Sequence, residues 1–223
     1  NFKGRADALT AQAAATRAVG DLERTERYAR RAIPLYEQVG SRFGVASCQN
    51  LLGEVLRERG DLDGASTAYA QAESLLRRMG SKERLVPQVN GGLVSLARGD
   101  YSAANKAFQY ALTAAHESGR RALEGTLHAL LLPCVAHLRD WPAWREHTAR
   151  AEEILDETGV LDADIAWAVE LGAGKARDLG YLQQAFVAYR LSLKHYRGVR
   201  DRDGVVRVRT AIENIQSRRK SPY

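Results

Sequence analysis

The side chains that could do chemistry are concentrated in the segment 128–137, where His128, Cys134 and His137 offer groups able to ligate zinc or move protons. Cys134 and His137 stand three apart, which on a helix puts them on one face. A structural zinc wants four ligands at recognised spacings, and here Pro133 interrupts the geometry between the few available. His116, His147 and His195 each sit singly, so the histidines read as packed or groove-lining residues and no metal is expected. Gly91-Gly92 lacks the Lys and Ser/Thr of a phosphate loop, and neither a nucleophile elbow nor HExxH occurs. The acids Glu152-Glu153, Asp162 and Asp164 fall at expected helix surfaces or starts, where carboxylates are solvated or cap backbone N–H groups. With no catalytic constellation and no cofactor motif, the chain is expected to be a binding protein and not an enzyme.

The elements that would position a binding surface are set by glycines. Gly20, Gly40, Gly60, Gly80, Gly99, Gly119, Gly159 and Gly180 recur on a beat of about 20 residues, with Arg139 standing where one would fall. Glycine just past a helix end takes the left-handed conformation without a Cβ clash, so a regular beat is a regular series of helix stops. Start signals follow alternate stops, as in Gly20-Asp21, Gly60-Asp61, Gly99-Asp100 and Arg139-Asp140, where Asp can accept from the free N–H groups of the next helix. Helices of about 17 residues, roughly 25 Å long, therefore alternate with very short turns. Pro34 and Pro133 fall inside helices, Pro87 near a helix start, and Pro142 in a first turn where its missing N–H is harmless. Pro133 is expected to kink its helix and bend the array at a cost of about 3 kcal/mol.

The best-formed pair spans Ala46 to Gly80, with Leu52-Gly53 in its first helix and Ala65, Tyr69 and Ala72 in its second. Small residues let two helices approach, and the aromatic fills the gap to the next pair. Gly92, Ala104, Phe108 and Ala111 repeat the pattern, as do Ala173, Ala185 and Tyr189, with Ala13, Thr25, Ala29 and Ala32 as a weaker version. Leu132 and Trp144 replace the small residues in the fourth pair. This phased pattern resembles the tetratricopeptide repeat family. The resemblance implies an all-α, right-handed α-solenoid of five helix pairs, at about 6–40, 41–80, 81–119, 120–159 and 160–199. An amphipathic capping helix at 201–216 and a frayed tail at 217–223 follow. The period is close to 40 instead of the family's usual 34, a long form like the arrays attached to bacterial regulators and kinases.

The resemblance also implies that first helices line a concave groove for a protein or peptide. Its contact positions map onto Asn50, Glu54 and Arg57 in the second pair and Val86, Val89, Asn90 and Leu93 in the third. In the fourth pair they map onto Ala129, Pro133 and His137, and in the fifth onto Trp167, Glu170, Gly174 and Arg177. Of the Lys and Asn clamp that grips a C-terminal carboxylate in some family members, Asn50 and Asn90 remain, but the Lys positions carry Val, Ala or Glu, so the clamp is incomplete. The apolar run Val86 to Leu96 suggests instead an extended peptide or an amphipathic helix burying an apolar stripe. Leu93, Leu96 and Trp167 remain open to the alternative of packing between repeats.

Composition agrees with helices, since only 5 of 223 residues are Pro. The net charge of +6 lies wholly in the C-terminal end, where nine basic residues from Lys194 onward face three acidic ones. Arg200, Arg202, Arg207 and Arg209 form a basic patch that could meet phosphates or an acidic partner. No aromatic residue is interleaved there before Tyr223, which leaves a nucleic acid without a stacking platform. No apolar run reaches the roughly 20 residues of a membrane span, and Cys48 and Cys134 lie about two repeats apart, too far for a disulfide. A soluble, cytoplasmic protein is expected. The Arg-over-Lys bias suggests a bacterial source, and the start at Asn1 a piece of a larger protein.

Overall fold

The structure, a computed structural model, describes the backbone of residues 1–220 and the side chains of residues 1–217. The described residues form eleven α-helices and no strand. An N-terminal unit, Asn1–Asp100, holds α1 (Phe2–Ala18), α2 (Leu22–Gln38), α3 (Arg42–Glu58), α4 (Leu62–Arg78) and α5 (Leu85–Ala97). A C-terminal unit, Tyr101–Tyr223, holds α6 (Tyr101–Glu117), α7 (Arg121–Leu138), α8 (Trp141–Thr158), α9 (Ala163–Asp178), α10 (Leu182–Gly198) and α11 (Arg202–Lys220).

Each of the eight beat glycines has positive φ, and Arg139 at 58° and Arg200 at 60° occupy the same place in two further turns. After most of these turns, one residue closes a helix and opens the next. The backbone N–H of Asp61 donates to Leu56 O at 2.9 Å, closing α3, while Asp61 Oδ1 accepts from Gly64 N at 2.9 Å, opening α4. The closing bond is the six-to-one bond of a Schellman stop. Asp21, Ser41, Asp140 and Asp201 do both jobs in the same way, which is why turns of two or three residues suffice. Before α5 a single 3₁₀ turn, Lys82–Arg84, takes the place of the first helical turn, as expected from Pro87.

Within the N-terminal unit α1 pairs with α2 and α3 with α4, and α5 packs on α4. Two glycines receive aromatic rings. A Cβ on Gly53 would lie 2.6 Å from the Tyr69 ring, and one on Gly44 would lie 2.3 Å from Tyr36 Cδ1. In the C-terminal unit α7 is packed by α6, α8 and α9, and its residues from Leu127 through Ala136 are all buried. Pro133 does not break it, because α7 continues unbroken from Arg121 to Leu138. Ala129 and Pro133, expected along the groove, are core residues instead.

The C-terminal helix differs from the expected cap in two ways. It reaches Lys220 instead of stopping at Gln216, while residues 221–223 of the expected frayed tail lie outside the described residues. It is also built like the first helix of a pair. Gly204 would place a Cβ 2.4 Å from Tyr196 Cδ1, the same relation across eight positions that Gly44 has to Tyr36. Val208 and Ile215 are fully buried in its contact with the rest of the unit.

Candidate functional site

One face of α9 supplies Trp167, Glu170, Leu171, Gly174 and Arg177, a stripe at helical spacing. The opposite face, through Val169, Gly172, Ala173 and Ala176, is buried. The stripe lines a cavity of about 540 Å³. Lys175 and Asp178 of α9, Tyr101 at the start of α6, Tyr189 of α10 and Arg207 of α11 complete the wall. Four of the residues expected to contact a partner, Trp167, Glu170, Gly174 and Arg177, thus share one concavity. Lys175, Tyr101 and Tyr189 were not anticipated.

The charges in this wall are nearly all paired. Glu170 accepts from Tyr196 Oη at 2.6 Å and, through both oxygens, from Arg207 Nε and Nη2 at 3.2 Å each. Such a bidentate guanidinium–carboxylate pair has fixed geometry. Arg207 is therefore tied to Glu170 and Tyr196, although, like Arg200, Arg202 and Arg209 of the expected basic patch, it is exposed. Arg177 Nε donates to Asp178 Oδ1 at 2.9 Å. Lys175 has no carboxylate partner among the described residues, and its Nζ stands 4.3 Å from the centre of the Tyr101 ring. His137 stacks on the same ring at 4.5 Å and 20°. Tyr189 is 3 % exposed and its hydroxyl bonds to no described residue; Gly174, where a Cβ would come 3.7 Å from Tyr189 Oη, leaves that oxygen uncovered. Burial raises the Tyr189 phenol above its ordinary pKa, so it remains a hydrogen-bond donor at neutral pH.

The N-terminal unit presents a polar face instead of the expected apolar one. Asn90 Nδ2 donates to Asn50 Oδ1 at 3.0 Å, Asn50 Nδ2 donates to Glu54 Oε1 at 2.8 Å, and Arg17 Nε lies 2.5 Å from Glu54 Oε2. This chain crosses α1, α3 and α5. Arg57 is half-buried beside it and Val86 is exposed. Val89 and Leu93, expected to contact a partner, are 6 % and 2 % exposed and pack in the interior, so neither presents a surface to a ligand.

The expected grouping of His128, Cys134 and His137 does not form. His128 Nδ1 is 2.8 Å from His147 Nδ1, one ring donating and the other accepting, and burial holds both rings below the ordinary histidine pKa. Cys134 is a buried thiol pushed up to about 12 by loss of solvent. His137 points to Tyr101. Among the described residues no cluster of three or more His, Cys, Asp or Glu is placed to hold a metal ion.

Residues 4–78 match the tetratricopeptide repeat family. No curated protein matches the chain. Among solved structures, the chain is similar to aspartyl phosphate phosphatase F from Bacillus subtilis, with a TM-score of 0.70 and 12 % identity over 97 % of this chain and 61 % of that one. It is also similar to a Rap protein complexed with competence and sporulation factor, with a TM-score of 0.68 and 14 % identity over 98 % of this chain and 65 % of that one. At these identities the likeness is one of fold. The chain spans less than two thirds of either protein. No helix among the described residues is long and apolar enough to cross a membrane.

Proposed function

We propose that this chain, a tetratricopeptide repeat array, is a non-catalytic peptide-binding scaffold, the sensing segment of a larger bacterial cytoplasmic regulator. The observation that carries the reading is the α9 cavity with Trp167 in its wall. A half-buried indole beside hydrogen-bonding groups is the kind of anchor point that dominates peptide and protein recognition. The Asn50–Asn90 ladder supports the same reading for the N-terminal unit, because side-chain amides offer both a donor and an acceptor to a peptide backbone. One similar structure bears the name of a phosphatase and another was solved with a bound factor, which supports a regulatory role.

The test is selection of peptides from a random library by the purified chain, followed by affinity measurement. Trp167→Ala should weaken the selected peptides at least about tenfold while helical content stays intact, as expected for a contact anchor. Arg209→Ala, on the exposed face of α11, should leave their affinity unchanged. Peptides that bind Trp167→Ala as tightly as the parent would contradict the reading.

A further inference from the structure

We infer that the α9 cavity recognises an acidic side chain of the bound peptide, its carboxylate held by Lys175 and the Tyr189 hydroxyl and its neighbouring apolar residue set against Trp167. This rests on the peptide-binding reading and specifies its ligand.

Two independent observations point to a carboxylate. The first is charge. Glu170 is consumed by Arg207 and Tyr196, and Arg177 by Asp178, so the ammonium of Lys175 is the uncompensated charge in the wall. It is steadied by the face of Tyr101, an attraction that leaves its N–H donors available to an anion. The second is the Tyr189 hydroxyl: the residue is 3 % exposed, and its O–H meets no acceptor among the described residues. The ring is held by packing while the oxygen opens on the cavity beside Gly174, where it is placed to donate to a ligand. An ammonium and a hydroxyl donor converging on one cavity match a carboxylate, which accepts hydrogen bonds at both oxygens. Trp167 and Leu171 offer apolar surface to the residue next to it. The acid is assigned to a side chain and not to a chain terminus, because the Lys positions of the clamp that grips a terminal carboxylate carry Val, Ala or Glu in this sequence.

The experiment is a cellulose-bound array of random decapeptides, made with free and with amidated C-termini, probed with the parent chain, Lys175→Glu, Tyr189→Phe and Trp167→Ala. The parent should enrich Asp or Glu at one position beside an aromatic or aliphatic residue, equally in both arrays. Lys175→Glu should replace that preference by Lys or Arg and keep the apolar neighbour. Tyr189→Phe, which removes only an unpaired oxygen, should lower affinity for the acidic peptides several-fold at unchanged thermal stability. If the parent binds through Trp167 without enriching acids, or Lys175→Glu keeps the acidic preference, the inference is overturned while peptide binding stands. Binding lost on amidation would overturn it in favour of a terminal carboxylate. Absence of any peptide that depends on Trp167 would remove both readings.

Discussion

Lowering the pH from 7.5 to 4.5 should destabilise the C-terminal unit by about 5 kcal/mol through two buried histidines, about 2–3 kcal/mol from each. His128 is 7 % exposed and His195 is fully buried, and burial brings each to a pKa of about 4. In the unfolded chain both return to about 6.5. Because the folded value is the lower one, the unfolded state binds protons first. The stabilisation is complete above pH 6.5 and is lost progressively as the pH falls from there through about 4. Geometry gives the same sign. Protonating the accepting ring of the His128–His147 pair sets two N–H donors against each other across 2.8 Å. His195 Nδ1 accepts from the backbone N–H of Asp162 at 3.3 Å, a bond that protonation of that nitrogen destroys. Urea denaturation at the two pH values measures the loss. His195→Asn, which retains an acceptor for the Asp162 N–H but does not titrate, should remove about half of it. A midpoint insensitive to pH across this range would contradict the assignment.

Gly172→Val should destabilise the same unit by about 3 kcal/mol, the upper part of the range for overpacking a filled interior. A Cβ at Gly172 would lie 3.0 Å from Pro133 N and 3.1 Å from Leu132 C. Both are backbone atoms of α7, so relief requires moving one helix away from the other and not merely turning a side chain. The proline takes part in this approach, since its nitrogen carries no hydrogen to intervene between the helices. Gly91→Ala is the matched control. Its Cβ would meet nothing within 4 Å, and replacing a mid-helix glycine there should add about 0.5–1 kcal/mol to the N-terminal unit. Thermal melts of the two variants should therefore move in opposite directions. Equal melts for parent and Gly172→Val would show that α7 and α9 do not approach closely.

The helix stops were legible because a left-handed turn is a local demand on the backbone that glycine meets by itself; even Arg139 and Arg200 kept the phase without one. The stripe Trp167, Glu170, Gly174 and Arg177 was legible because residues at those spacings share a helix face whatever surrounds it. What the chain order hid was the surroundings. An apolar residue on a first helix can face a ligand or a neighbouring helix at the same period, and Val89 and Leu93 face the interior. The summed charge of the last segment says nothing of Arg207 reaching Glu170, 37 positions away. Tyr101, Tyr189 and Lys175 come from three different helices, and only packing brings them to one cavity. The Tyr36–Gly44 and Tyr196–Gly204 pairs, each eight apart across a helix stop, did leave a sequence trace that would have marked α11 as a first helix.

The most direct measurement is the response of the three tryptophan indole N–H signals in a ¹⁵N-labelled chain titrated with a library-selected peptide. Trp144 is 1 % exposed in the core and Trp141 is stacked on Tyr181 at 3.7 Å, and neither lines the α9 cavity. The Trp167 signal should shift in step with peptide saturation while the other two hold still. A peptide that saturates the chain and leaves the Trp167 signal where it was would contradict the assignment of the α9 cavity as the binding site.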